Sequence, residues 1–330
     1  MNTSRDHEMD KAVTISPPPL VTIAIPTYNR ADGFLRQALE SARNQTYPKL
    51  DIIVSDNCSP DNTATLVTNI ADPRIRYFKH HVNIGSNNNF NFCLKEARGD
   101  YFLLLCDDDL IDDDFIETCM KAAKYSSDVG IIRTGTRVID ANNQLLRESP
   151  NMVCGDPIDA FFRGWFSSKT ALYLCSMLFN TERLRGIGGF MSKYNLYDDV
   201  VAGVQLAAKY GRIDIQDIKA TARLHESKLS FAEDTRKWCE EALILLDLMC
   251  ELVSENRALV RRDGMRFFAR ANYSRASAVR SPLKRFIAYM IVFKEFNYRY
   301  YPSLYPQRLR GIKGKTKRLL SMSMERRPSI

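Results

Sequence analysis

The segment Tyr101-Phe-Leu-Leu-Leu-Cys106 runs directly into Asp107-Asp108-Asp109, and this sequence indicates the centre of the fold. A short, fully apolar run is typical of a strand that is buried on both faces of a sheet. Three carboxylates at its end repel one another and are hard to keep ionised without a cation. Mg²⁺ and Mn²⁺ prefer oxygen ligands and usually bind phosphate oxygens as well. The stretch therefore predicts a central strand with a metal site at its carboxyl end. The alternative is a solvated helix cap, extended by Asp112–Asp114 near the positive end of the next helix.

Strands and helices alternate on both sides of this segment. The predicted strands are Val21–Ile25, Ile52–Val54, Ile75–Phe78, Tyr101–Leu105 and Val129–Arg133. Segments with helical spacing of apolar residues lie between them. This alternation predicts an α/β fold, a Rossmann-like and mostly parallel sheet flanked by helices. Polar clusters follow the first, second and fourth strands. Ligands of such sheets bind beyond the carboxyl ends of the strands, so these clusters indicate a ligand site.

Composition excludes several structural classes of protein, and the sequence pattern divides the chain into segments. Of 330 residues, 45% are hydrophobic and 26% are charged, which excludes a disordered, collagenous or coiled-coil chain. Residues 1–19 are polar, end in three prolines and are predicted to be a flexible leader. After residue 140 the alternation weakens. The sequence predicts strands at Leu172–Phe179 and Ala220–Leu224, a helix at Asp198–Tyr210, and helices from Phe231 onward, which form a C-terminal helical extension over 231–330.

The eight cysteines and the hydropathy pattern indicate the cellular compartment of the protein. No CxxC pair occurs, and most cysteines lie in apolar segments, so we interpret them as reduced core thiols. No apolar run reaches 18 residues, and the N-terminus has no apolar signal region. These features predict a cytoplasmic protein.

Seven short motifs occur in a fixed order along the chain. They are Pro26-Thr27-Tyr28-Asn29, Asp56 to Thr63, Asn83-Ile-Gly85 with Asn91, Gly99-Asp100-Tyr101, the acidic cluster at 107–109, Gly188-Gly189-Phe190 with Asp198-Asp199, and Arg223-Leu-His225. In this order they resemble the family 2 nucleotide-sugar glycosyltransferases of the GT-A fold. The resemblance covers about residues 20–230 and divides them into a nucleotide-binding half, 20–140, and an acceptor half, 141–230.

The resemblance implies a donor site built from the first motifs. Tyr28 would lie against the nucleobase, with Pro26 and Thr27 shaping the pocket, and Asp56 would accept a hydrogen bond from the base. A turn-forming role is the alternative for Asp56. Asn83 belongs to the loop that completes the nucleotide site. Phe90 stands where many members have an arginine, which weakens the expectation of UDP as the nucleotide.

The resemblance also implies a metal site for Mg²⁺ or Mn²⁺. Asp107 would lie near the ribose, Asp108 would be the main metal ligand and Asp109 would assist. A literal D-x-D pattern would instead pair Asp107 with Asp109. His225 would approach the metal or the diphosphate, with a structural histidine as the alternative.

The implied activity is inverting transfer of a sugar from a nucleoside diphosphate sugar, UDP favoured, to a hydroxyl of a glycan or glycolipid in cell-envelope polysaccharide synthesis. Asp199 would be the base that deprotonates the acceptor, with a helix N-cap as its alternative. The alternative hypothesis for the whole chain is a catalytically inactive GT-A module that binds nucleotide sugar or glycan. A dinucleotide-binding oxidoreductase is disfavoured because no G-x-G-x-x-G follows the first strand, and no P-loop is present.

Charge is unevenly distributed along the chain. Residues 261–330 carry 18 Lys and Arg against 3 Asp and Glu, a net charge of +15, whereas the first 260 residues carry −7. Basic residues alternate there with large apolar ones, a pattern typical of helices that bind anionic bilayers. We therefore expect peripheral association with the inner face of the cell membrane. The alternative is that these helices pack on the catalytic domain or pair two subunits in a homodimer. A nucleic-acid partner is not expected, because it would leave the aspartates unexplained.

Overall fold

A twisted mixed sheet forms the centre of the computed structural model, which describes residues 17–31, 33–224 and 234–301. Its strands in the described part are β1 (Val21–Thr27), β2 (Leu50–Asp56), β3 (Ile75–Lys79), β4 (Tyr101–Leu104), β5 (Leu110–Ile111), β6 (Ile131–Asp140), β7 (Leu145–Ser149), β8 (Met177–Asn180) and β9 (Arg212–Leu224). Their order in the sheet is β3-β2-β1-β4-β8-β6-β9-β5, and β7 pairs with β6.

Helices cover both faces of this sheet. They are α1 (Phe34–Arg43), α2 (Thr63–Thr68), α3 (Ser86–Glu96), α4 (Phe115–Ala122), α5 (Ile158–Phe166), α6 (Thr181–Gly186), α7 (Asp198–Tyr210), α8 (Thr235–Leu252), α9 (Arg257–Ser277) and α10 (Pro282–Glu295). All residues of β1, β2 and β4 are buried, as expected for parallel strands with helices on both sides. In α1 the buried positions Leu35, Ala38, Leu39 and Ala42 repeat at helical spacing and face one core.

The predicted α/β class with a mostly parallel sheet is confirmed. Strands β1, β2, β3 and β4 pair in parallel, as do β6 and β9. The sequence pattern did not reveal that β8 is inserted antiparallel between β4 and β6. The predicted strand Leu172–Phe179 was wrong at its start, because Leu174–Ser176 is a 3₁₀ turn that leads into β8. Strand direction depends on where the chain returns in space, and residue spacing carries no such information.

The aspartates after β5 serve a different purpose from the predicted cap. Asp112 forms an ion pair with Arg137 at 2.7 Å, and Asp114 forms one with Lys219 at 2.6 Å. Asp114 occupies the N-cap position of α4 without a side-chain capping hydrogen bond. These side chains tie the start of α4 to β6 and β9.

The C-terminal helices pack on the same face of the sheet as α3, α5 and α7. Their buried residues, including Trp238, Leu246 and Phe268, share one apolar core with Phe179 and Phe190. A second core, on the other face, is formed with α1 and α4. Among the described residues, no helix is both long enough and apolar enough to cross a bilayer. The predicted boundary at residue 231 lies outside the described residues and stays a prediction.

All eight cysteines lie within the described residues, and none of them forms a disulfide bond. Five are buried, which fits their interpretation as small apolar core residues. Cys154 is exposed, and Cys58 and Cys106 are half-buried, so these three do not contribute to the core in the same way.

Gly99 lies where two segments approach closely before β4. A Cβ at this position would lie 2.5 Å from the backbone nitrogen of Thr22 and 2.7 Å from the backbone oxygen of Leu20. We expect Gly99→Ala to lower the free energy of unfolding by about 2 kcal/mol or more, because the neighbouring backbone must shift. Urea unfolding measures this change. Gly186→Ala is the control, since its Cβ would meet no atom within 4 Å; equal stability of the two variants would contradict the close-approach argument.

Candidate active site

The loop after β4 is tied to the end of β1 by Asp107. Its Oδ2 accepts hydrogen bonds from Thr27 Oγ1 at 2.7 Å and from the backbone N–H of Tyr28 at 3.4 Å. Burial raises the pKa of Asp107 to about 6, and the charge of Asp108 acts in the same direction. The structure thus brings the first motif, at Thr27 and Tyr28, and the acidic cluster together at the carboxyl edge of the sheet.

Asp108 and Asp109 lie beside Cys106 in a compact group. One carboxylate oxygen from each aspartate and the Cys106 Sγ all lie within 4.8 Å of one another. Both aspartates are buried. Two carboxylates in this arrangement fit a hard divalent cation such as Mg²⁺ or Mn²⁺. The sulfur is a softer donor and is better tolerated by Mn²⁺ than by Mg²⁺.

Arg223 holds this acidic loop from the end of β9. Its backbone N–H donates to Asp109 Oδ1 and its Nε donates to the carbonyl oxygen of Asp108, both at 2.9 Å. The guanidinium is buried, lies 4.3 Å above the ring of Phe34 and donates to Gln37 Oε1 at 3.0 Å. Arg223 therefore sets the position of the loop. His225 follows two residues later and lies outside the described residues.

The predicted base-binding residues occupy the ends of β1 and β2. Pro26 and Thr27 pair with Ser55 and Asp56 in the parallel ladder. Tyr28 projects from this edge with 47% of its surface exposed, so its ring is available for stacking.

Asp56 is completely buried at the end of β2. Its oxygens accept hydrogen bonds from the Ser59 backbone N–H at 2.7 Å and the Tyr77 hydroxyl at 2.6 Å. Burial and this bond to Asp56 raise the pKa of Tyr77. Each carboxylate oxygen has a second lone pair, so contact with a base stays a prediction for Asp56.

Asn83 is connected to the end of β2 through Asn57. Asn83 Oδ1 accepts from Asn57 Nδ2 at 3.0 Å and from the Gly85 backbone N–H at 2.9 Å. Asn57 Oδ1 in turn accepts from the Ile84 backbone N–H. Gly85 has φ of 83°, a conformation that favours glycine, which explains the N-x-G pattern. Reciprocal side-chain bonds thus fix the loop before α3.

The second acidic pair opens α7. Asp198 Oδ2 accepts a 2.7 Å hydrogen bond from Asn87 Nδ2, and Asn87 also donates to the carbonyl oxygen of Phe190. Burial raises the pKa of both Asp198 and Asp199, and the charge of Asp198 raises that of Asp199 further. The sequence reading missed Asn87, because it lies 111 residues from Asp198 and belongs to a run of three asparagines without a motif of its own.

The Gly-Gly-Phe segment packs against α3 at the same place. Phe190 donates its backbone N–H to Asn91 Oδ1 at 2.9 Å, and Asn91 Nδ2 donates to the Phe190 carbonyl oxygen. Gly189 has φ of 79°, and a Cβ there would lie 2.4 Å from Asn91 Oδ1. Glycine is therefore required for this contact between the Gly-Gly-Phe segment and α3.

A family model described as "Glycosyl transferase family 2" matches residues 22–184. This range includes β1, the acidic loop and the loops that carry Asp56 and Asn83. This segment belongs to glycosyl transferase family 2.

Curated relatives and solved structures agree with this assignment. The transferase is 37% identical over 108 residues to the GalNAc(5)-diNAcBac-PP-undecaprenol beta-1,3-glucosyltransferase of Campylobacter jejuni, which is 32% of this chain and 35% of that protein. The chain covers only 21% and 28% of the length of two Rickettsia glycosyltransferases to which it is also similar in sequence.

Two solved structures share the fold across most of the transferase. TarS of S. aureus, solved as residues 1–349 with UDP-GlcNAc, has a TM-score of 0.57 at 15% identity, covering 84% of this chain and 89% of that one. A mannosyltransferase from Pyrobaculum calidifontis, in complex with GDP-Man and Mn²⁺, has a TM-score of 0.50 at 18% identity, covering 86% and 83%. These structures confirm the GT-A fold.

Glu241 of α8 holds the loop of the transferase that leads into Asp198. It is 1% exposed, and its carboxylate accepts hydrogen bonds from the backbone N–H groups of Tyr194, Leu196 and Tyr197 at 2.8 to 3.2 Å. A buried carboxylate that satisfies three backbone donors positions this loop rigidly. Sequence reasoning missed Glu241, because nothing in the pattern of α8 indicates which loop it meets.

Removing this carboxylate should destabilise the fold. We expect Glu241→Ala to lower the free energy of unfolding by about 3 kcal/mol, because backbone donors lose their acceptor inside the protein. Glu240→Ala is the matched control: its side chain is 40% exposed and pairs with Lys193, so the expected loss is much smaller than that for Glu241→Ala. Thermal or urea unfolding of both variants checks the difference, and equal losses would contradict the assigned role of Glu241.

Proposed function

We propose that the chain transfers one sugar from a nucleoside diphosphate sugar, with UDP as the favoured nucleotide, to a hydroxyl of a glycan or lipid-linked glycan, with inversion at the anomeric carbon. The observation that carries the proposal is the placement of two acidic groups in a family 2 transferase. Asp108 and Asp109 follow β4, and Asp198 and Asp199 begin α7. Helix α3 contacts both the end of β2 and Asp198, which supports a single site that includes both acidic groups.

The first acidic group would hold a divalent cation. Asp108 is the proposed main ligand, Asp109 assists, and the nearby Cys106 favours Mn²⁺ over Mg²⁺. When bound, such an ion neutralises charge on the diphosphate and makes it a better leaving group. Asp107 keeps the loop against β1 through Thr27, and His225 remains a predicted further ligand.

The second acidic group would supply the base. The acceptor oxygen attacks the anomeric carbon, the bond from that carbon to the diphosphate oxygen breaks, and the bonding electrons leave with the nucleoside diphosphate. Asp199 takes the hydroxyl proton. A raised pKa strengthens its affinity for that proton and brings the base nearer to neutral pH, where general base catalysis is effective.

The donor and acceptor classes rest on separate support. The exposed ring of Tyr28 and the Asp56–Asn57–Asn83 loops suit a nucleobase site. UDP-GlcNAc is bound in the TarS structure and GDP-Man in the mannosyltransferase, so the fold is compatible with either nucleotide. The name of the Campylobacter relative specifies a PP-undecaprenol glycan, which supports a lipid-linked acceptor.

Substitutions in the two acidic groups should have different effects. We expect Asp108→Ala to weaken Mn²⁺-dependent UDP binding at least about tenfold, because a metal ligand is lost. Asp199→Asn should bind UDP normally and lose turnover at least about 100-fold, because the base is lost. Calorimetry with and without Mn²⁺ and an assay of UDP release measure the two effects.

Asp113→Ala is the control for Asp108→Ala, since Asp113 is an exposed acid nine residues after the end of β4. Near-normal turnover by Asp199→Asn would exclude Asp199 as the base. Sugar-nucleotide binding without any turnover by the unmodified protein would favour the inactive-module reading instead.

The true donor should stabilise the fold by mass action. We expect a UDP-sugar with Mn²⁺ to raise the melting temperature more than GDP-, dTDP- or CMP-sugars do, since a ligand at 100 times its dissociation constant adds about 2.7 kcal/mol. A thermal-shift screen with Mn²⁺, Mg²⁺ or EDTA tests the nucleotide and the metal together. A larger shift with another nucleotide class would overturn the preference for UDP.

A further inference from the structure

Helix α10 presents a stripe of large apolar side chains to solvent. Leu283, Phe286, Ile287 and Met290 are 69%, 62%, 49% and 47% exposed. Their spacing of three, four and seven residues places them on one side of the helix. The opposite side, with Ala288 and Val292, is buried against α8 and α9.

Such a stripe differs from ordinary scattered exposure. Single apolar residues are common on protein surfaces, whereas a contiguous apolar face rimmed by polar groups marks an interaction surface. The apolar residues of α9 do not share this property, because Phe268 is fully buried against Trp165 and Phe166. Arg266-Phe267-Phe268, which the sequence pattern grouped with the membrane-binding segments, instead contributes to the core.

Basic residues surround the stripe. Lys284 and Lys294 are exposed near its two ends, and Arg280 and Arg299 are exposed just outside the helix. The acidic residue in this part, Glu295, is half-buried and faces Arg236 of α8 at 4.0 Å. In sequence, residues 302–330 add eight Lys and Arg against one Glu. The described residues next to the stripe therefore carry a net positive charge, and the sequence that follows them is strongly basic.

The C-terminal end of the stripe carries exposed tyrosines. Tyr298 and Tyr301 are 57% and 76% exposed and contact Phe293 with their rings. Tyrosine has an apolar ring and a polar hydroxyl, which suits the boundary between lipid headgroups and acyl chains.

We propose that α10 docks on an anionic lipid bilayer, with the apolar stripe at the headgroup–acyl boundary and the lysines against lipid phosphates. This inference is independent of the transfer reaction. A second copy of the chain fits the stripe less well, because it would bring one strongly basic surface against another. An anionic bilayer satisfies both the apolar face and the surrounding positive charge.

The test is co-sedimentation of the full chain with vesicles of phosphatidylcholine, with or without phosphatidylglycerol. We expect binding to the anionic vesicles and at least about tenfold weaker partitioning of Phe286→Ser/Ile287→Ser. Leu145→Ser/Leu146→Ser on β7 is the matched control, because those leucines are 58% and 54% exposed and lie outside the stripe. Its partitioning should equal that of the unmodified chain.

A charge variant tests the second component. Lys284→Glu/Lys294→Glu should partition onto anionic vesicles at least about tenfold more weakly than the unmodified chain. Added salt should likewise weaken the binding of the unmodified chain to these vesicles. Melting temperatures verify that each variant is folded. Unchanged vesicle binding by Phe286→Ser/Ile287→Ser would overturn the proposal. A different pair of results would also overturn it: the unmodified chain does not bind vesicles, and light scattering shows a dimer that the Phe286→Ser/Ile287→Ser variant has lost. A second copy of the chain would then cover the stripe.

Discussion

The buried guanidinium of Arg223 is the group on which the geometry of the site depends. It reaches from the last strand of the sheet to the acidic loop after β4 and to Gln37 of α1. Burial lowers the pKa of Arg223, while the charges of Asp108 and Asp109 oppose that shift. A buried charge is tolerated only when it is paired and hydrogen-bonded. The arginine and the acidic loop therefore stabilise each other, and the carboxylates stay clustered at the sheet edge.

A second set of contacts connects this edge to the start of α7. Asn87 and Asn91 bind the Gly-Gly-Phe segment and Asp198, and Glu241 binds the loop between them. Helix α8 thus contributes directly to the position of Asp198 and Asp199, although it lies outside the segment that matches the family model. The inner surface of the C-terminal helices supports the loop that leads into Asp198, whereas one face of α10 lies in solvent.

Much of the fold was accessible to pattern reasoning. Runs such as Ile52–Val54 and Tyr101–Leu105 indicated buried strands, because a parallel strand covered on both faces has no polar alternation. The helix Asp198–Tyr210 was predicted with its observed bounds. The antiparallel insertion of β8 was not accessible, since a short apolar run is compatible with either direction. The loop residues Asp107, Asp56 and Asn83 were identified by motif, but the bonds that hold them were not.

Local chemistry along the chain therefore determined the fold class, the family and the residue types at the site, because burial and turn formation depend on neighbouring residues. Only the tertiary structure decided which of these residues meet. Asn87 reaches Asp198, Glu241 reaches the 194–197 loop, and Arg223 reaches the acidic cluster across more than a hundred residues or between separate elements. It also decided that Phe268 is buried while Phe286 is exposed. Both aromatic residues follow basic residues in similar sequences, and only the packing of the helices distinguishes their surroundings.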